Sequence, residues 1–192
     1  PEVHAALDLC LSCKACSRDC PAGVDMAAFK SETLYRTYRG RVRPVDHYAL
    51  GWLPRWGRLI TSIPGIGPLI NAVGKAPVLG AALKFGAGVD GRRQIPRFAS
   101  RTARSQLGEI PVGSKGRVLI WVDSFSDCFE STSFAAMVKV LVGLGYEPEV
   151  LNETACCGLT WISTGQLDGA ARELRHAVGC IFEFSSLRIM GH

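Results

Sequence analysis

Hydrophobic and polar positions divide the chain into three stretches with different rhythms. Residues 2 to 9 read as a short helix leading to the first cysteine. From Asp25 to Tyr38 the pattern is helical again, with Met26, Phe29, Leu34 and Tyr38 roughly on one face and Gly40 as a stop. Residues 41 to 111 hold seven of the ten prolines and many glycines, which predicts short helices broken by turns. From Arg117 onward the rhythm becomes α/β. Val118–Val122 is a compact apolar run of the kind used in buried parallel strands. Thr132 to Val142 carries Phe134, Met137, Val138, Leu141 and Val142 at helical spacing, and Tyr146 to Leu151 reads as a second strand. Leu167, Ala170, Ala171, Leu174, Ala177 and Val178 then trace one face of a further helix.

A strand–helix–strand–helix order implies a parallel βαβ unit, in which ligands gather beyond the carboxyl ends of the strands. Cys156-Cys157-Gly158 occupies such a position. The expected class is therefore α+β, in three parts. Residues 1–40 form an α-helical ferredoxin-like cluster module, residues 41–116 a basic Pro/Gly-rich helical linker, and residues 117–192 a partial α/β (βαβα) cysteine-rich domain.

Composition narrows the picture. With 192 residues and 47% hydrophobic content the chain suits one ordinary folded domain or two small ones. The net charge of +5 is unevenly placed: fourteen Lys/Arg face three acids between Arg36 and Lys115, a local balance of +11. A basic middle suits an anionic surface, whether phospholipid or an acidic partner; a solvated face is the plainer reading for any single arginine. For nucleic acid there is no supporting motif, neither zinc-finger spacing nor a helix-turn-helix signature. The least charged run, Leu59 to Gly74, has sixteen residues and two prolines, short of the about 20 that a spanning helix needs. Trp52 and Trp56, interleaved with Arg55 and Arg58, fit either peripheral contact with a membrane or a packing segment under a partner. No charged-then-apolar signal segment opens the chain, so a cytoplasmic, reducing setting is expected, peripheral on the inner face of the membrane if the basic middle docks there. The start at Pro1 and the end at Gly191-His192 read as those of a piece of something longer.

The chemistry lies in the cysteines. Six of the eight stand in two tight groups, whereas disulfide frameworks spread cysteines to close loops. The first group runs Cys10-x2-Cys13-x2-Cys16-x3-Cys20-Pro21. Soft thiolates suit iron in a cubane, two-residue gaps wrap three ligands around one corner, and this spacing is a bacterial [4Fe–4S] pattern. Ser12, Ala15 and Ser17 are small enough for amide N–H groups to approach the sulfurs. Structural zinc is the competing metal, though it usually combines two separated pairs. In two-cluster proteins the fourth cysteine of a run ligates the other cluster, so Cys20 serves either the cluster of Cys10, Cys13 and Cys16 or a neighbouring one. Cys156 and Cys157 are either metal or redox ligands at a strand end or small side chains in a tight turn. Cys128 and Cys180 read as packing residues, and His4, His47, His176 and His192 as scattered surface or packing residues. No residue is assigned a catalytic role.

Five segments carry a resemblance to a known family: Leu7 to Met26, Tyr35 to Arg41, His47 to Pro54, Val118 to Phe125, and Cys156-Cys157-Gly158. They resemble the iron–sulfur portion of FAD-linked D-2-hydroxyacid dehydrogenases of the D-lactate, glycolate and D-2-hydroxyglutarate type, over residues 1 to about 178. The last two segments look like the family's cysteine-rich CCG domain. The iron–sulfur subunit of anaerobic glycerol-3-phosphate dehydrogenase is related.

The resemblance implies a [4Fe–4S] cluster on this chain and FAD on a missing or partner dehydrogenase domain or subunit. Electrons would pass from flavin through the cluster to a respiratory carrier, a membrane quinone or a cytochrome, and the chain would not be active alone. Three features depart from the pattern. Cys128 lies 28 positions before Cys156, Cys180 has no companion, and a second CCG repeat is missing. Two other readings remain open: a heterodisulfide-reductase-like subunit using Cys156 and Cys157, and a non-enzymatic adaptor whose metal only supports folding.

Overall fold

The computed structural model describes residues 2–151 and 155–189. Eleven helices and two strands follow one another among these residues, and the molecule is mostly helical with one small parallel sheet. This accords with an α+β chain.

The amino-terminal part has three helices: α1 (Glu2–Asp8), α2 (Ala15–Asp19) and α3 (Met26–Tyr38). The Asp25 side chain accepts from the Ala28 N–H at 3.0 Å and so caps α3. Gly40, with φ of 71°, turns the chain away beyond it. The expected face of α3 needs correction. Met26 and Phe29 are exposed, and the buried positions are Ala27, Ser31 and Leu34. Leu34 of the expected face is buried, and Gly165 is pressed against α3 there. A Cβ at Gly165 would stand 2.4 Å from Leu34 Cβ, and its φ of +64° favours glycine independently.

Four short helices make the middle: α4 (Val45–Gly51), α5 (Leu53–Ser62), α6 (Ile66–Lys75) and α7 (Pro77–Gly86). Proline opens α7 and lies in the first turn of α5, where its missing N–H costs no helical bond. This middle does not merely connect the ends. Arg43 donates to the carbonyls of Thr164 at 2.9 Å and Gly165 at 2.7 Å. The Trp52 indole N–H donates to Gln166 Oε1 at 2.8 Å, and Gln166 Nε2 donates back to the His47 carbonyl. Arg55 pairs with Glu173 at 2.9 Å while its guanidinium lies 4.5 Å from the Trp161 ring centre. An extended segment then returns across Asn71, whose amide exchanges two hydrogen bonds with the Phe98 backbone.

In the carboxyl-terminal part β1 (Arg117–Ile120) pairs in parallel with β2 (Glu147–Val150), Arg117 opposite Glu147 and Ile120 opposite Val150. Between them run α8 (Ser124–Cys128) and α9 (Thr132–Gly143), since parallel strands need a long crossover. After β2 come α10 (Leu159–Ser163) and α11 (Leu167–Ile189). Ile120, Val122, Phe134, Val138 and Ala103 form one core cluster; Leu151, Ala155, Ala177 and Cys180 form a second. Beside them the buried carboxylate of Asp127 is held by Arg104 at 2.6 Å and by the Arg104 backbone N–H at 3.2 Å. Asp123 at the end of β1 caps α8, accepting from the N–H groups of Phe125 and Ser126.

Candidate metal centre

The four cysteines of the run sit on a loop–helix–turn between α1 and α3. Cys10 leaves α1 with its N–H bonded to the Leu7 carbonyl at 3.0 Å. The following loop turns through Ser12 (φ 55°) and Lys14 (φ 60°), the two described non-glycine residues in the left-handed region. Such backbone costs roughly 1 kcal/mol or more per residue and concentrates where a local shape is required. Cys16 rides on α2. Cys20 ends that helix, its N–H on the Cys16 carbonyl at 2.9 Å, and Pro21 stops it from continuing.

A backbone donor meets one of the sulfurs: the Met26 N–H points at Cys16 Sγ from 3.3 Å. The Gly23 N–H closes a turn on the Cys20 carbonyl at 2.9 Å, and the backbone amides of Val24 and then Ala22 lower the pKa of the Cys20 thiol. Amide donors of this kind stabilise a thiolate and tune a bound cluster. The frame is braced by two lysines. Lys30 donates from α3 to the Cys10 carbonyl at 2.9 Å, and Lys14 pairs with Asp25 at 2.9 Å. Asp25 is held below the usual carboxylate range, first by the Ala28 N–H and then by Lys14.

Cys13 is exposed and Cys10, Cys16 and Cys20 are half-buried. All eight cysteines are free thiols. Among the described residues no group of three or more His, Cys, Asp or Glu side chains is gathered closely enough to hold a metal ion. The donor set is the observation that bears on fit. Four soft thiols on one short segment, that of Cys16 met by a backbone N–H, suit an iron–sulfur cluster.

The other cysteines are differently placed. Cys128 is fully buried at the end of α8, where the Thr61 hydroxyl donates to its sulfur at 3.8 Å. Burial pushes its thiol up to about 11. Cys180 belongs to the second core cluster. Cys156 is buried and accepts from the Gly158 N–H at 3.5 Å, while Cys157 is exposed. The pair follows β2 as expected, with no third ligand gathered beside it among the described residues. His47 is a packing residue, edge-on to Tyr38 at 5.3 Å, and burial lowers its pKa. The His4 side chain and His192 lie outside the described residues.

Sequence reasoning missed the supporting residues, namely Lys14, Asp25, Lys30 and the Met26 amide. Asp25 before an apolar helix was a readable cap signal. Nothing in the sequence separates Lys30 from an ordinary solvated lysine.

Comparison with known proteins gives a consistent set of relatives. The chain is similar to the D-2-hydroxyglutarate dehydrogenase of Pantoea ananatis, 27% identical over 164 residues that cover 78% of this chain and 16% of that protein. The D-2-hydroxyglutarate dehydrogenase of Escherichia coli K12 is 26% identical over 159 residues, with the same shares of each chain. That of Pseudomonas putida is 29% identical over 157 residues, 76% of this chain and 15% of the relative. The chain thus spans about 16% of the length of these relatives. No family model matches the chain, and no solved structure matches it.

Proposed function

We propose that this chain is the iron–sulfur electron-transfer segment of an FAD-linked D-2-hydroxyacid dehydrogenase. Its relatives' names favour D-2-hydroxyglutarate as the acid. The observation that carries this reading is the run Cys10, Cys13, Cys16 and Cys20 on one loop–helix–turn, with the Met26 N–H on the Cys16 sulfur. A [4Fe–4S] cluster held there supplies reversible one-electron storage at a potential set by net charge and hydrogen bonds.

The chain's own residues do the rest. Cys10, Cys13 and Cys16 would hold such a cluster, and Cys20 would either complete that set or serve a neighbouring cluster. The Met26 amide withdraws electron density from the Cys16 sulfur, which favours the reduced state. Lys30 fixes the Cys10 end of the loop, and the Lys14–Asp25 pair fixes the other. Leu9, Leu11, Val24 and Phe29 crowd both sides of the run with exposed apolar surface. Such surface suits an abutting cluster-bearing or flavin-bearing part of the assembly. The flavin and the hydroxy acid are held by that part, and electrons leave toward a quinone or cytochrome.

Anaerobic reconstitution with iron and sulfide, followed by iron analysis and visible absorption, tests this reading. About four iron atoms per chain with a broad visible band are expected. Stoichiometric zinc without such a band would instead make the metal a folding support.

A further inference from the structure

The corner made by α6 and α7 has an unusual surface. α7 has the sequence Pro-Val-Leu-Gly-Ala-Ala-Leu-Lys-Phe-Gly, with Lys84 as its one charge. An α-helix that is apolar all round is normally buried in a core or in lipid. Here Val78 is 80% and Phe85 89% exposed, and Leu79 and Leu83 are exposed as well. α6 meets α7 at a bend of 104°, and no single helix among the described residues is long and apolar enough to cross a membrane. Together α6 and α7 have the length and apolar composition of a span, but they are broken by that bend, and the corner they make presents exposed apolar side chains. A groove of about 800 Å³ continues this apolar surface between α4, α5, α6 and α7, with Leu50, Trp56, Leu69 and Val73 in its walls.

The charge around the corner is mainly positive, with Asp46 packed against Gly88 and Asp90 in the groove wall as its acidic neighbours. Residues 59 to 89 contain no Asp or Glu. Lys75, Lys84 and Arg97 line a cleft of about 360 Å³ beside the start of α7, together with Gln94; Lys84 also donates to the Gly91 carbonyl at 2.9 Å. The nearest carboxylate in sequence, Asp90, is engaged by Arg92 at 2.7 Å. An exposed apolar wedge next to a cationic cleft is complementary to a surface with fatty chains below a plane of phosphates. A protein partner would need an apolar knob and acidic groups at matching places, whereas an anionic bilayer offers both everywhere.

We propose that the α6–α7 corner docks the protein on an anionic phospholipid bilayer, with Val78, Leu79 and Phe85 entering the acyl boundary and Lys75, Lys84 and Arg97 binding lipid phosphates. The surface is remote in sequence from the cysteine run, and the inference stands whether or not a cluster is bound there.

Co-sedimentation of the full chain with vesicles tests it. Binding is expected to vesicles of phosphatidylcholine mixed with phosphatidylglycerol, to fall with added salt, and to be weak on phosphatidylcholine alone. The pair Val78→Ser and Phe85→Ser, at positions too exposed to disturb folding, should release the protein from the mixed vesicles. Lys75→Gln should weaken binding about fivefold at low salt. Circular dichroism of each variant controls for folding. Equal binding to both vesicle types would overturn the proposal, as would no binding to either. A dimer that the Val78→Ser/Phe85→Ser pair splits, without vesicle binding, would assign the corner to a second copy of the chain and overturn it too.

Discussion

Two regions of this molecule hold cysteines in opposite physical settings. In the run between α1 and α3 the thiols lie near the surface, carried by a loop with left-handed residues and met at Cys16 by a backbone N–H. In the α/β part Cys128, Cys156 and Cys180 are buried, and Cys128 is pushed toward the neutral thiol by desolvation. In the first setting the Val24 and Ala22 amides lower the Cys20 pKa toward the thiolate, which is the form that ligates metal. The second treats cysteine as a small hydrophobe. Counting cysteines would rank the two regions together; their surroundings separate them.

Substitutions at the run should break that contrast most strongly. Cys13→Ser is expected to remove nearly all iron from the reconstituted chain while leaving the helical circular dichroism in place. Cys128→Ser should do the reverse, keeping the iron but lowering stability by about 1–2 kcal/mol in denaturant unfolding, because a hydroxyl replaces a buried sulfur. Iodoacetamide offers a simpler version. In the metal-free folded chain the run and Cys157 should be alkylated, with Cys128, Cys156 and Cys180 protected until denaturant is added.

A second pair of predictions concerns the α/β part alone. Arg104→Met leaves the buried Asp127 carboxylate without its guanidinium and should cost about 3–5 kcal/mol, or roughly 10 °C in the thermal midpoint. Iron binding at the run should survive it. The pH dependence of Cys128 has a definite sign. Its folded pKa lies above the ordinary value of 9.0, at about 11. Its contribution is therefore full below pH 9 and is lost as pH rises toward 11. Denaturant midpoints should fall over that window in the wild type and fall less in Cys128→Ala. The smallest expected effect belongs to Lys30→Met. It removes the bond to the Cys10 carbonyl and should cost about 1 kcal/mol, seen most readily as faster iron loss to a chelator.

Much of this was legible in the sequence and some was not, for identifiable reasons. The run was readable because ligand spacing is local, and the cap at Asp25 and the long helices α3, α9 and α11 were readable because a 3.6-residue period needs only a few turns. Helices α2, α8 and α10 have five residues each, too few to show a period. The face of α3 was legible only at Leu34, which is buried against Gly165; Met26 and Phe29 of the same apolar set are exposed, and Ala27 and Ser31 are buried instead. The middle stretch looked like a linker because its prolines and glycines are visible in the sequence and its partners are not. Arg43, Trp52 and Arg55 find theirs at Thr164, Gln166 and Glu173, more than a hundred residues away. Of the two readings open for the tryptophans, packing holds for Trp52, whose indole N–H goes to Gln166; Trp56 stays partly exposed beside the apolar groove.

The central claim is that the thiols of the run, and not those of the α/β part, hold an electron-carrying cluster. The direct measurement is electron paramagnetic resonance of the anaerobically reconstituted, dithionite-reduced protein, with Cys13→Ser and Cys157→Ser examined beside the wild type. A reduced-cluster signal in the wild type that disappears in Cys13→Ser and persists in Cys157→Ser is the predicted result. A signal that survives Cys13→Ser, or one lost only in Cys157→Ser, would contradict the account and move the chemistry to the far end of the chain.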